Sequence, residues 1–252
     1  MPVINISAIR RETLLGRALR FPLRLLPEGT VVPILQGPLR GKRWIASSST
    51  HGCWLGTYEL HKQYHFASAL RPGHVVYDLG ANAGYYTLLA SELVGKSGRV
   101  AAFEPLPENL AALRAHLELN RIDNVTVIDA AAWSHGGMVR FAPASHRSMG
   151  AVTEAGPLEV RAVRLDEFFT QTELPAPQVL KIDIEGGEAH ALEGATTLLA
   201  SARPTIFLAT HGPAVHSRCC NLLTSLGYDL EPLDSSSLTQ ASEVLATARD
   251  RA

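Results

Sequence analysis

The sequence predicts an α/β fold, a mostly parallel sheet with helices on both faces, and three observations carry that prediction. From about residue 74 onward, short apolar runs alternate with longer amphipathic stretches, the order that produces parallel strands joined by crossover helices. The run Val75-Val76-Tyr77-Asp78 passes into Leu79-Gly80-Ala81-Asn82-Ala83-Gly84 and then Tyr85-Tyr86-Thr87-Leu88-Leu89-Ala90, which reads as buried strand, tight glycine turn and helix start. The next apolar run, Arg99-Val100-Ala101-Ala102-Phe103, ends in Glu104, 26 residues after Asp78. That is close to the spacing at which a βαβ unit places an acid on a ribose.

Residues 1–43 differ in composition from the rest. Arg10, Arg11, Arg17, Arg20, Arg24, Arg40, Lys42 and Arg43 stand against Glu12 and Glu28, a net charge of +6, with Ile9, Leu14, Leu15, Leu19 and Phe21 between them. The pattern predicts an amphipathic helix from about Ile6 to Arg20, stopped before Pro22. A cap helix or oligomer contact, compatible with a homodimer, is the favoured role; membrane contact is less favoured, because one short helix anchors weakly. Thr30–Leu35 and Gly41–Ser47 then predict a hairpin closed by Gly37-Pro38-Leu39-Arg40-Gly41. A helix over Tyr58–Leu70 ends at Arg71-Pro72-Gly73. These elements form an N-terminal cap, residues 1–70, ahead of a cofactor-binding domain, residues 71–252.

Within that domain, strands are expected near 74–79, 99–104, 124–129, 178–183 and 204–209, and helices near 84–94, 107–120, 188–200 and 214–226. Tyr228–Leu233 and Glu243–Ala248 are two further strand candidates. Between Ser134 and Arg164 the pattern changes to a hairpin-like insertion built from Gly136–Phe141 and Leu158–Val163. Its tip, Ala144 to Gly156, is expected to be mobile and close to substrate.

With 252 residues, 46% of them hydrophobic, the chain can fill the core of one α/β domain plus an appendage. A net charge of −1 argues against nucleic acid as a partner. Cys53, Cys219 and Cys220 have no metal-ligand spacing and fit ordinary thiols in a reducing compartment. No apolar run reaches membrane-spanning length and no signal peptide is visible, so a cytoplasmic location is expected.

The glycine turn selects the class of cofactor. A dinucleotide fingerprint needs glycine at three places, whereas positions 80, 82 and 85 hold Gly, Asn and Tyr. Without a phosphate to cradle, Asn82 can take the middle place. Asp78 suits a cationic amine better than a pyrophosphate. S-adenosylmethionine has an amino-acid end, a sulfonium and a ribose but no phosphate. It therefore fits Gly80, Asn82, Gly84, Asp78 and the ribose-binding acid Glu104.

Four stretches go further: Trp54-Leu55-Gly56-Thr57-Tyr58-Glu59, Tyr77 to Leu88, Ala102-Phe103-Glu104-Pro105-Leu106-Pro107-Glu108-Asn109, and Leu180-Lys181-Ile182-Asp183-Ile184-Glu185-Gly186-Gly187-Glu188. On these the chain resembles the FkbM family of S-adenosylmethionine-dependent methyltransferases, in the same order from about Gly37 onward. The resemblance implies a Rossmann-like class I methyltransferase fold, a seven-stranded sheet whose last strand is antiparallel. It also implies O-methylation of a small-molecule hydroxyl on a sugar, polyketide or related metabolite. It places Glu59 near the cofactor's ammonium, Tyr58 near the sulfonium or substrate, and Asn109 on the ribose side.

Ligands of open α/β sheets sit beyond the C-terminal strand ends, where this chain has Asp78, Glu104, Asp129, Asp183 and His211. Asp129, with Ala130 and Ala131, is expected near the adenine. Asp183, Glu185 and His211 are the candidate catalytic residues, with His211 as a base whose ordinary pKa suits neutral pH. Asp183 also borders the cofactor. The same three residues could hold a divalent ion, but a metal-free site is favoured, since Mg²⁺ prefers carboxylates and water to imidazole. The alternatives are a nicotinamide-dependent oxidoreductase, disfavoured by Asn82, and a non-catalytic binding module, disfavoured by the retained acids.

Overall fold

A computed structural model describes Thr13 and residues 26–143, 150–152 and 156–250. The amphipathic helix expected over Ile6–Arg20, and most of the expected tip of the insertion, lie outside the described residues. A short hairpin, β1 (Val31–Pro33) and β2 (Arg43–Ile45), opens the described chain. The helix expected over Tyr58–Leu70 is α2 (Leu60–Ala69), and a short helix not expected from the pattern, α1 (His51–Leu55), precedes it. Gly56 separates them at φ 73°, where an added Cβ would lie 2.1 Å from the Gln36 carbonyl oxygen.

The alternation then follows as β3 (Val75–Leu79), α3 (Tyr85–Val94), β4 (Arg99–Phe103), α4 (Pro107–Leu119) and β5 (Val125–Ile128). The insertion is richer than a hairpin: β6 (Ala131–Trp133), β7 (Gly137–Pro143), β8 (Gly150–Val152) and β9 (Leu158–Arg164) form a separate four-stranded sheet in the order β6-β9-β7-β8. A helix not expected from the pattern, α5 (Leu165–Gln171), leads into β10 (Val179–Ile182). The helix expected over 188–200 is broken into α6 (Glu188–Glu193) and α7 (Thr196–Ala202) at Gly194, whose backbone packs against the Trp133 carbonyl. The chain closes with β11 (Thr205–Ala209), α8 (Pro213–Ser225), β12 (Tyr228–Pro232) and β13 (Glu243–Ala248).

The main sheet has seven strands in the order β12-β13-β11-β10-β3-β4-β5, and β13 runs antiparallel to both neighbours, as the family resemblance implies. β3 is buried at every residue because both sheet faces are covered. From β3 the chain winds outward through β4 and β5, then returns to β10 on the other side. The crevice at the C-terminal ends of β3 and β10 is therefore the topological switch point. One face packs Leu180, Ile206, Leu198 and Tyr228 in one core cluster. The other packs Val76, Leu88 and Phe207 with Trp44, Trp54 and Phe66, so the described part of the N-terminal segment shares a core with the sheet.

Candidate functional site

A cleft of about 400 Å³ opens at the switch point, walled by the glycine turn, the ends of β4 and β10, the loop after β11 and the segment before the sheet. Gly80, Asn82, Glu104, Asn109, Ala131, Glu59, Asp183, Glu185 and His211 all line it. The turn is built for close approach: Asn82 sits at φ 51°, a left-handed conformation that asparagine tolerates better than most residues, between Gly80 at φ 79° and Gly84 at φ 94°. Gly84 caps α3 and packs against Leu113 rather than lining the cleft.

Glu104 is buried and held from several sides. One oxygen accepts from the Leu106 amide at 2.9 Å and from Asn109 Nδ2 at 3.1 Å; the other accepts from the Asn82 amide at 2.8 Å. Burial raises its pKa despite these donors and the nearby Lys181.

Two expected ligands are placed elsewhere. Asp78 is fully buried behind the turn, where Lys181 Nζ donates to one oxygen at 3.0 Å and Thr87 Oγ1 to the other at 2.7 Å. It does not line the cleft, and its cationic partner is a lysine of this chain. In parallel register Asp78 lies directly opposite Lys181, which no reading of either strand alone reveals. Lys181 also donates to the Gly80 carbonyl at 3.2 Å, so the pair braces the turn. Asp129 points outward, more than half exposed, 3.8 Å from Arg114 on α4. It follows the end of β5 but turns away from the cleft.

Beyond the turn the cleft becomes acidic. Glu188, which opens α6 and is fully buried, accepts from the Gly186 amide at 3.0 Å and lies 2.7 Å from His211 Nδ1. A carboxylate only accepts, so Nδ1 carries the hydrogen and Nε2 faces Glu185 at 3.4 Å and Asp183 at 3.9 Å. Glu185 reaches this position from a left-handed backbone, φ 55°, ahead of Gly186 at φ 100°. The bond to Glu188 outweighs burial and, with Glu185 and Asp183, lifts the His211 pKa to about 9. This corrects the expectation of a histidine titrating near neutrality: three carboxylates around one imidazole keep the proton on it. Burial would raise Asp183, but Lys62, Lys181 and His211 pull it down to about 2.

Residues 78–230 match the sequence model of the methyltransferase FkbM domain. The chain belongs to the FkbM methyltransferase family. Among its FkbM and other methyltransferase relatives, it is 29% identical over 129 residues to the hexuronic acid methyltransferase AglP of Haloferax volcanii, covering 50% of this chain and 52% of that one. It is 32% identical over 158 residues to the 31-O-demethyl-FK506 methyltransferase FkbM of Streptomyces tacrolimicus, covering 50% and 60% respectively. The match thus spans little more than half the length of these curated relatives. The fold resembles the crystal structure of an FkbM methyltransferase from Methylobacillus flagellatus, with TM-score 0.52, 18% identity and coverage of 78% of this chain and 53% of that one. It also resembles an O-methyltransferase from Thermotoga maritima, with TM-score 0.51, 12% identity and coverage of 89% and 79%.

The FkbM motifs do not include every charged group at the site. Lys62 on α2, almost completely buried, donates to Asp183 at 3.2 Å and to Glu243 on β13 at 2.9 Å, with Glu59 at 3.6 Å. Glu59 in turn accepts from Tyr86 at 3.0 Å. Glu59, Lys62 and Glu243 all lie outside the matched domain, and Lys62 and Glu243 carry no motif in the sequence. Glu188 stands inside the motif but reads only as a residue that suits a helix N-terminus. Its hold on His211 exists only once the loop after β11 folds over α6.

Proposed function

We propose that the protein transfers a methyl group from S-adenosylmethionine to a hydroxyl of a small-molecule acceptor. The observation that carries this reading is the use made of the loop amides. Asn82 and Leu106 direct their N–H groups at Glu104, leaving a buried acid where a dinucleotide site needs amides for a pyrophosphate. An acid there suits ribose hydroxyls. The rest of the lining also fits: Glu59 can accept from an ammonium, and Ala131 leaves room for a flat base beside β6. When bound, the cofactor supplies an activated methyl group.

What remains is to align the acceptor and take its proton. His211 Nε2, which faces Glu185 and Asp183 across the cleft, is placed to take the acceptor's hydroxyl proton. Glu188 holds the ring through Nδ1 and stabilises the resulting imidazolium, the orienting part a carboxylate plays in other His-based sites. Glu185 and Asp183 flank the arriving hydroxyl. The substrates in the names of the relatives, a hexuronic acid and 31-O-demethyl-FK506, favour a sugar or polyketide-type hydroxyl as the acceptor.

Calorimetry with S-adenosylhomocysteine, S-adenosylmethionine and NAD, followed by a product screen over sugar and polyketide alcohols, tests the proposal. The first two ligands bind, NAD does not, and a methyl ether forms with at least one alcohol. Binding of NAD in place of S-adenosylhomocysteine would return the site to the oxidoreductase reading. Glu104→Ala removes a charged acceptor of the kind worth about 1.5–3 kcal/mol, so affinity for S-adenosylhomocysteine drops roughly ten- to a hundred-fold in a folded protein. Wild-type affinity in that variant would show that Glu104 does not contact the ribose.

A further inference from the structure

We propose that Lys62 is a positioning residue for methyl transfer, holding one Asp183 oxygen so that the other stays turned to His211. The proposal rests on the reading of the cleft as a methyl-transfer site. Lys62 Nζ bonds Asp183 Oδ2 at 3.2 Å, while Asp183 Oδ1 is the atom 3.9 Å from His211 Nε2. The two carboxylate oxygens are thus divided between a fixed internal cation and the reacting centre. The same ammonium bonds Glu243 at 2.9 Å and lies 5.6 Å from the centre of the Tyr86 ring.

Lys62 is not itself among the residues lining the cleft, whereas Glu59, Asp183 and Glu243 are. Its influence therefore runs through those carboxylates. Among the described residues, the charged and titratable groups around Asp183 are Lys62 from α2, Lys181 from β10, His211 from the loop after β11, Tyr58 ahead of α2, Glu185 from its own loop and Glu243 from β13. Lys181 is committed to Asp78 and the Gly80 carbonyl. Among the described residues, Lys62 is then the lysine that hydrogen-bonds Asp183, and without it Asp183 and Glu243 lose the charge between them.

Fold stability alone does not call for a lysine here. An ion pair taken out of water gains little over a well-packed apolar residue, and Phe66, fully buried on the same helix, already docks α2 against α3 and β11 through Tyr86 and Phe207. What an apolar residue cannot do is orient a carboxylate.

The test compares wild type with Lys62→Met and Lys62→Arg, reading the crystal structure, S-adenosylhomocysteine affinity and kcat for each. In Lys62→Met, Asp183 swings away from His211, and kcat falls at least tenfold, toward the roughly hundredfold loss typical of a misplaced group. Cofactor affinity stays within about threefold. Lys62→Arg, which keeps the charge, recovers most of the loss. Asp183 unmoved in Lys62→Met overturns the proposal whether or not an acceptor has been found. So does a moved Asp183 with unchanged kcat, or a folded Lys62→Arg no better than Lys62→Met. Should Lys62→Met fail to fold, the Lys62→Arg structure and kcat decide alone: Asp183 displaced with wild-type kcat overturns it, Asp183 held with near-wild-type kcat supports it. A wild type that methylates no alcohol counts instead against the methyl-transfer reading, and the crystallographic arm still decides whether Lys62 sets Asp183.

Discussion

Gly80→Ala is expected to destabilise the protein severely and to remove cofactor binding. Two effects combine at this position. At φ 79° an alanine pays the left-handed conformational cost of roughly 1–2 kcal/mol. Its Cβ would also sit 1.9 Å from the Asp183 carbonyl oxygen and 2.9 Å from Ile184 Cγ2, a contact relieved only by separating the end of β3 from the end of β10. Overpacking of that kind typically adds about 1–3 kcal/mol. Those two strand ends frame the cleft, so S-adenosylhomocysteine affinity falls by more than about a hundredfold even in the fraction that folds. Gly80→Val is worse. The clash lies with the backbone at Asp183. Urea unfolding and calorimetry check the result, and a folded Gly80→Ala protein with wild-type affinity would remove the turn from the site.

His211→Ala is expected to lower kcat by roughly 10²–10⁴-fold, the range for loss of a general base, with S-adenosylhomocysteine affinity nearly unchanged. The pH dependence follows from the carboxylates around the ring. With its pKa lifted to about 9, His211 holds a proton below that pH and accepts one only above it. In the free enzyme kcat/KM therefore climbs with pH through the neutral range and levels off above about 9. In His211→Ala this limb disappears. Chelation leaves the wild-type rate unchanged. Asp183, Glu185 and His211 do bring ligand atoms within 4.8 Å of one another, so loss of activity in EDTA, restored by Mg²⁺ or Mn²⁺, would reassign the three as metal ligands, Asp183 first. Unchanged kcat in His211→Ala would remove His211 from the chemistry.

The order of strands and helices is legible in this sequence because apolar runs, glycine turns and proline stops act locally. β3, β4, β10, β11 and β13 fall within a residue or so of expectation for that reason. The errors lie where distant chain overrides local pattern. Gly194 ends α6 because its backbone meets Trp133 of β6, a neighbour distant in sequence. The insertion reads as two alternating segments, but β6 joins it only by pairing in parallel with β9.

The candidate site divides the same way. By itself the sequence determined the α/β order, the glycine turn with Asn82 in its middle place and Glu104 at the next strand end, because these follow from local pattern and spacing within a βαβ unit. It grouped Asp183 and Glu185 with His211 because all three follow C-terminal strand ends. Only the tertiary structure decided which charges meet. Strand register sets Asp78 against Lys181 and removes that acid from the cleft. The exposed course of the chain after β5 sends Asp129 to Arg114. Folding of α2 and β13 over the sheet brings Lys62 and Glu243 to Asp183 from 121 residues before Asp183 and, for Glu243, 181 residues after Lys62. A charge's role depends on its partner within a few ångströms, and that distance is set by packing, to which a linear pattern of residue types is blind.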